Sequence, residues 1–131
     1  MNHSIITDEG FSEVVRKLPQ LEEVLIQSFD TYEVTLKALG RSCPLLKSLQ
    51  YNSWSLESCD SDKMAFLIAE TMPGLRHLNM NGHKLTDLGV LAIMDKCPLL
   101  ESLEISYRAY LSEDLKKRCI DQIKDFHYWY L

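Results

Sequence analysis

All four prolines of this chain, Pro19, Pro44, Pro73 and Pro98, open one and the same pattern: Pro-x-Leu-x-x-(Leu/Val)-x-apolar. The copies run through Leu21, Val24 and Ile26; Leu46, Leu49 and Tyr51; Leu75, Leu78 and Met80; and Leu100, Leu103 and Ile105. The prolines are spaced by 25, 29 and 25 residues. A fixed period of this length is the mark of a stacked repeat, in which no unit can bury its own apolar face. Within each copy the last apolar pair alternates with outward-facing residues, the period-2 signature of a strand. The four strands are therefore expected near 23–27, 48–52, 77–81 and 102–106.

Between strand and proline lies a helical stripe. Phe11, Val14, Val15 and Leu18 recur at i, i+3, i+4 and i+7, and Val90, Ile93, Met94 and Cys97 repeat that spacing. Leu36, Leu39, Gly40 and Cys43 form a weaker copy, and Ala65, Ile68, Ala69 and Met72 another. Thr7-Asp8 and Thr86-Asp87 stand where side-chain oxygens can cap a first turn, and each proline follows where a helix must stop. The four extra residues of the long repeat are expected in an inserted loop from Trp54 to Ser61. A last helix over about 112–126, with Leu115, Cys119, Ile123 and Phe126 inward, is expected to cap the stack. The aromatic end from Phe126 to Leu131 is left with two roles, a cap that folds back or an element of an interface.

With 131 residues, 46% hydrophobic and 25% charged, the chain has the composition of one packed domain, here spanning 1–131. A net charge of −5 disfavours nucleic acid and anionic membranes as partners, since both select clustered Lys and Arg. The basic run Lys116-Lys117-Arg118 is interrupted by acids on both sides and reads as a solvated helix face. No apolar stretch is long enough to span a bilayer, and the first residues have neither the basic start nor the apolar run of a secretory signal. Cys43 and Cys97 hold one repeat phase and Cys119 a helix stripe, so they are expected as reduced core fillers in a cytoplasmic or nuclear protein. No close cysteine pair suggests zinc, and no metal or cofactor is expected. Cys59, in the insertion, is the thiol expected to be most exposed. The four histidines show no ligand spacing and no nucleophile motif contains a Ser or Cys, so the chain is not expected to be an enzyme.

Thr-Asp-x-Gly, Cys-Pro-x-Leu-x-x-Leu and the closing Arg118-Cys119-x-x-Gln122-Ile123-Lys124-Asp125 resemble the cysteine-containing class of leucine-rich repeats found in F-box/LRR proteins, most closely the plant branch. The resemblance covers about residues 5 to 126. It implies an α/β leucine-rich-repeat solenoid, right-handed, with a parallel concave sheet and outer helices. It also implies the substrate-recognition part of an SCF-type ubiquitin ligase receptor. The repeat starts almost at Met1, leaving no counterpart of the F-box, so binding of a Skp-type adaptor is not expected from these residues. A regulator or decoy without an F-box, and a structural self-associating domain, are the alternatives.

Binding of a protein partner is expected on the concave face and on the loops beyond the strand ends. On the strands the candidates are Gln27, Asn52, His77, Asn79, Asn81 and Glu104, whose neighbours are mostly small and uncharged. Beyond them lie Phe29, Tyr32, Trp54, His83, Tyr107, Arg108 and Tyr110, types enriched in binding hot spots. The competing explanations are plain: polar strand residues keep an exposed sheet soluble, and loop aromatics pack against one another.

Overall fold

The computed structural model describes residues 3–6, 15–28, 32–53, 60–81, 84–106 and 109–128. The order is β1 (His3–Ile6), β2 (Glu23–Ser28), α1 (Tyr32–Ser42), β3 (Ser48–Ser53), α2 (Ser61–Thr71), β4 (His77–Asn81), α3 (Asp87–Lys96), β5 (Ser102–Ser106), α4 (Glu113–Gln122) and β6 (Asp125–Tyr128). Residues 15 and 16, between β1 and β2, are also helical. The strands form one parallel sheet in chain order, β1 to β6. A parallel sheet whose neighbours are consecutive in sequence requires a return path between strands, and helices supply it.

The register runs straight across the repeats. Val24 pairs with Leu49, Leu49 with Leu78, Leu78 with Leu103, and Leu103 with Phe126. A second row takes Ile26 to Tyr51 and Met80 to Ile105 to Tyr128. Both rows are buried from β2 to β5 and half-buried at β6. They meet Leu36 and Leu39 of α1, Met64, Ala65 and Ile68 of α2, Val90 and Ile93 of α3, and Leu115 and Cys119 of α4 in one core. Helices and sheet thus make two layers sharing a single interior. Each fully buried Leu or Ile contributes about 1.5–3 kcal/mol over leaving it in water.

Four expectations need correction. The stack holds two strands beyond the four expected, β1 and β6. The helix expected over 112–126 stops at Gln122, with Ile123 as its C-cap. Phe126 therefore points into the core from β6, not from a helix. Of the insertion expected from Trp54 to Ser61, residues 54–59 lie outside the described residues and the last two belong to a helix start: Asp60 is an N-cap whose carboxylate accepts the N–H of Lys63, and Ser61 is a buried first residue of α2.

Successive repeats are tied by contacts about one period apart. Asp62, in the first turn of α2, accepts from the backbone N–H of Thr86 at 2.8 Å and from its hydroxyl at 2.6 Å. Asp87, in the first turn of α3, accepts from the N–H of Ser112 at 2.8 Å. Thr86 and Ser112 are the N-caps of α3 and α4, so each aspartate orients the cap of the following helix. Gly89 lies buried beside the first of these ties. A Cβ there would overlap the Asp62 carboxylate and come within 2.8 Å of Leu85 Cδ1 and 3.1 Å of Ala65 Cβ. Gly40 plays the same part between α1 and α2, where a Cβ would overlap the Thr71 side chain.

Removing the Asp62 carboxylate should cost about 1–3 kcal/mol, because two donors of Thr86 lose their acceptor. In a urea-unfolding double-mutant cycle, Asp62→Ala and Thr86→Ala are expected to be non-additive by at least about 0.5 kcal/mol. Gly89→Ala should destabilise by about 1–3 kcal/mol through overpacking in spite of its higher helix propensity.

Candidate functional site: the open face of the sheet

Because side chains alternate along a strand, the rows that alternate with the two buried ones face away from the helices. One such row runs Glu23, Ser48, His77, Ser102 and Asp125; the next runs Leu25, Gln50, Asn79, Glu104 and His127. Their members are half-buried or exposed. Neighbouring strands stand about 4.8 Å apart, so each row offers one side chain per step of that length. Asn79 donates its amide N–H to Glu104 Oε2 at 3.0 Å, which fixes both side chains on adjacent strands.

At the N-terminal ends of the strands this face carries a groove of about 370 Å³, lined by Glu22, Glu23, Lys47, Ser48, Arg76 and His77. Its cause is local. Ser48 is small and sits in register between the longer Glu23 and His77, so a floor opens between them. The rim is charged. Lys47 Nζ lies 3.0 Å from Glu22 Oε1, and Arg76 and His77 approach the Glu101 carboxylate at 3.9 and 3.8 Å. These side chains range from half-buried Glu22 to exposed Lys47, His77 and Glu101, so the contacts contribute little stability and can exchange partners.

The structure places the sequence candidates unevenly. His77, Asn79 and Glu104 come together on β4 and β5 of the open face. Gln27 and Asn52 are register partners near the ends of β2 and β3, Asn81 ends β4, and Tyr32 starts α1. Tyr110 is 70% exposed, and its backbone N–H donates to the carbonyl of Leu85 at 2.7 Å. Phe29, Trp54, His83, Tyr107 and Arg108 lie outside the described residues. Glu22, Lys47, Arg76 and His127 were not among the sequence candidates. The first three share the position two residues before the first buried residue of the strand. A column of Glu, Lys, Arg and Glu at 22, 47, 76 and 101 was a readable signal. His127 was missed because the aromatic end from Phe126 was left as a cap or an interface element and was not read as a strand.

The described cysteines are placed for packing. The Cys43 thiol lies 3.4 Å from the carbonyl oxygen of Leu18, and that of Cys97 3.4 Å from the carbonyl oxygen of Met72, each donor one repeat beyond its acceptor. Burial pushes the Cys43 thiol above its ordinary value, and pushes those of Cys97 and Cys119 up to about 11. Cys59 lies outside the described residues. Among the described residues no three His, Cys, Asp or Glu side chains cluster to hold a metal ion. No described helix is long and apolar enough to cross a membrane.

A parallel sheet in chain order, helices on its other face and one Cys-Pro or Met-Pro step closing three of the repeats define a leucine-rich-repeat solenoid. No protein-family model matches the chain. Similar proteins are nonetheless found in Arabidopsis thaliana. F-box protein SKIP19 is 43% identical over 124 residues, covering 92% of this chain and 40% of its own length. Two sequences provisionally named F-box/LRR-repeat protein 22 and F-box/LRR-repeat protein 23 are 40% and 42% identical over 123 and 125 residues. Each alignment covers 92% of this chain, against 40% and 28% of the relative. The chain spans less than half the length of these relatives. It is similar, over nearly all its length, to one part of plant F-box/LRR proteins.

At pH 8 the Cys97 and Cys119 thiols stand about three units below their titration point, so the reactive thiolate is scarce. Iodoacetamide labelling followed by peptide mapping should leave both unmodified in the folded chain. Labelling should rise toward pH 11 and be complete in denaturant at pH 8.

Proposed function

We propose that this chain is a non-catalytic protein-binding module, acting as the substrate-holding part of an F-box-type ubiquitin ligase receptor in the cytoplasm or nucleus. The observation that carries this reading is the open face itself. Ser48, Gln50, Asn79 and Ser102 stand side by side on three adjacent strands in strict register, turned away from the core. Small uncharged side chains lose little hydration free energy when covered, and each can exchange a water for a partner's amide or carbonyl. The similarity to proteins named as F-box and F-box/LRR supports the same reading. In it, Gln27, Asn52, His77, Asn79, Asn81 and Glu104 contact the partner along the strands. Phe29, Tyr32, Trp54, His83, Tyr107, Arg108 and Tyr110 supply the anchoring contacts at the loop end, because aromatic and Arg side chains bury large area at low entropic cost.

The test is capture from plant extract by the immobilised chain. Gln50→Lys with Asn79→Lys alters the face, and Trp54→Ala with Tyr107→Ala alters the loops. Leu88→Ala, on the exposed side of α3, is the control. The two face and loop variants should lose the same captured proteins, with affinity down by about 30-fold or more if true anchors are removed. The control should lose none. Unchanged capture by both double variants would end the proposal.

A further inference from the structure

The groove at Ser48 has opposite electrical ends, and this bears on what the open face holds; the inference rests on the binding role proposed above. Glu22 and Glu23 lie at its β2 side, Arg76 and His77 at its β4 side, with Ser48 and Lys47 between them. Lys47 is committed to Glu22 at 3.0 Å, which leaves Glu23 as the exposed acid of that end. Arg76 and His77 reach Glu101 only at 3.9 and 3.8 Å, beyond good hydrogen-bond length, so the Arg76 guanidinium, the fixed positive charge of that end, keeps N–H donors for an approaching carboxylate. Two strand steps separate the ends, about 10 Å.

We infer that this groove takes an extended peptide segment of its protein partner, one with a basic and an acidic side chain three residues apart. The spacing follows from chain geometry. In a β-strand, residues three apart point to opposite sides, and residues two apart lie about 7 Å from each other. In a polyproline II helix, residues three apart share one side and are about 9 Å apart, close to the span from β2 to β4. Such a segment crosses the strands with its basic group over Glu23 and its acidic group over Arg76 and His77. The two residues between them pass over the Ser48 floor, where a larger side chain on this protein would leave no room. Either chain direction satisfies both ends, so the order of the two charges is not selected; their opposite sign is.

The experiment uses the full chain and four blocked peptides of one design, Gly-Lys-Pro-Pro-Asp-Gly and its versions with two Lys, two Asp or two Ser at the charged places. The prolines hold the polyproline conformation, and blocking removes terminal charge. Titrations at low ionic strength are followed through the backbone amide resonances of Ser48 and His77. The Lys/Asp peptide should bind at least about threefold tighter than the other three, as expected for exposed ion pairs. Glu23→Lys should transfer the preference to the two-Asp peptide, and Arg76→Glu to the two-Lys peptide. Both substitutions fall on exposed side chains, and the wild-type ranking needs neither. Equal affinities for all four peptides, or a preference that neither variant moves, would overturn the inference. If capture from plant extract still depended on Gln50 and Asn79 in that case, the binding role would stand and only this occupant would be lost.

Discussion

The carbonyl oxygens of Glu22, Lys47 and Arg76 each accept two backbone N–H groups from the repeat that follows. Glu22 receives those of Lys47 and Ser48 at 2.8 and 3.0 Å, Lys47 those of Arg76 and His77 at 2.8 and 2.9 Å, and Arg76 those of Glu101 and Ser102 at 2.7 and 3.0 Å. β3, β4 and β5 each begin at this shared anchor, so the anchor sets their phase. A slip of one residue would turn Leu49, Leu78 and Leu103 to water and bring Ser48, His77 and Ser102 into the core. The two-layer core, the polar rows of the open face and the groove at Ser48 all follow from that phase being the same in each unit.

The thread linking helix to helix is of a different kind. Asp62 and Asp87 do not cap their own helices; they hold the capping residue of the next one. A side chain that satisfies a backbone donor a full period away makes each unit depend on its neighbour, as expected where no unit is stable alone. The buried thiols add to this on the C-terminal side of the helices, where Cys43 and Cys97 approach carbonyls of the preceding repeat.

The parallel sheet was readable from the sequence because its determinants are local and repeated: leucines in one phase, a proline before each of β2 to β5, and caps such as Thr86 and Ser112 at helix starts. Leu49, Leu78 and Leu103 occupy adjacent strands as that phase requires. What escaped notice was not repeated. Asp125-Phe126-His127-Tyr128 has no proline before it and only 23 residues separate its start from that of β5, so nothing in the chain marks it as a strand. It becomes one because β5 presents an edge to it and Phe126 and Tyr128 can reach the core; the Tyr128 hydroxyl then donates to the carbonyl of Ala109 at 2.7 Å. The groove escaped for a related reason. It is made by residues of three repeats, and what opens it is the smallness of Ser48 beside its neighbours, a property of the sheet and not of any segment.

Gly40 and Gly89 carry a geometric consequence of their own. Strands step by about 4.8 Å, whereas packed helices keep their axes 8–10 Å apart, so a stack of such units has to arch toward its strand side. Where a glycine lets two helices close up, the mismatch between the layers shrinks and the arch relaxes. Two methyl groups missing from the helix side, at Gly40 and Gly89, thus favour a shallower and broader hollow on the strand side than alanines there would give.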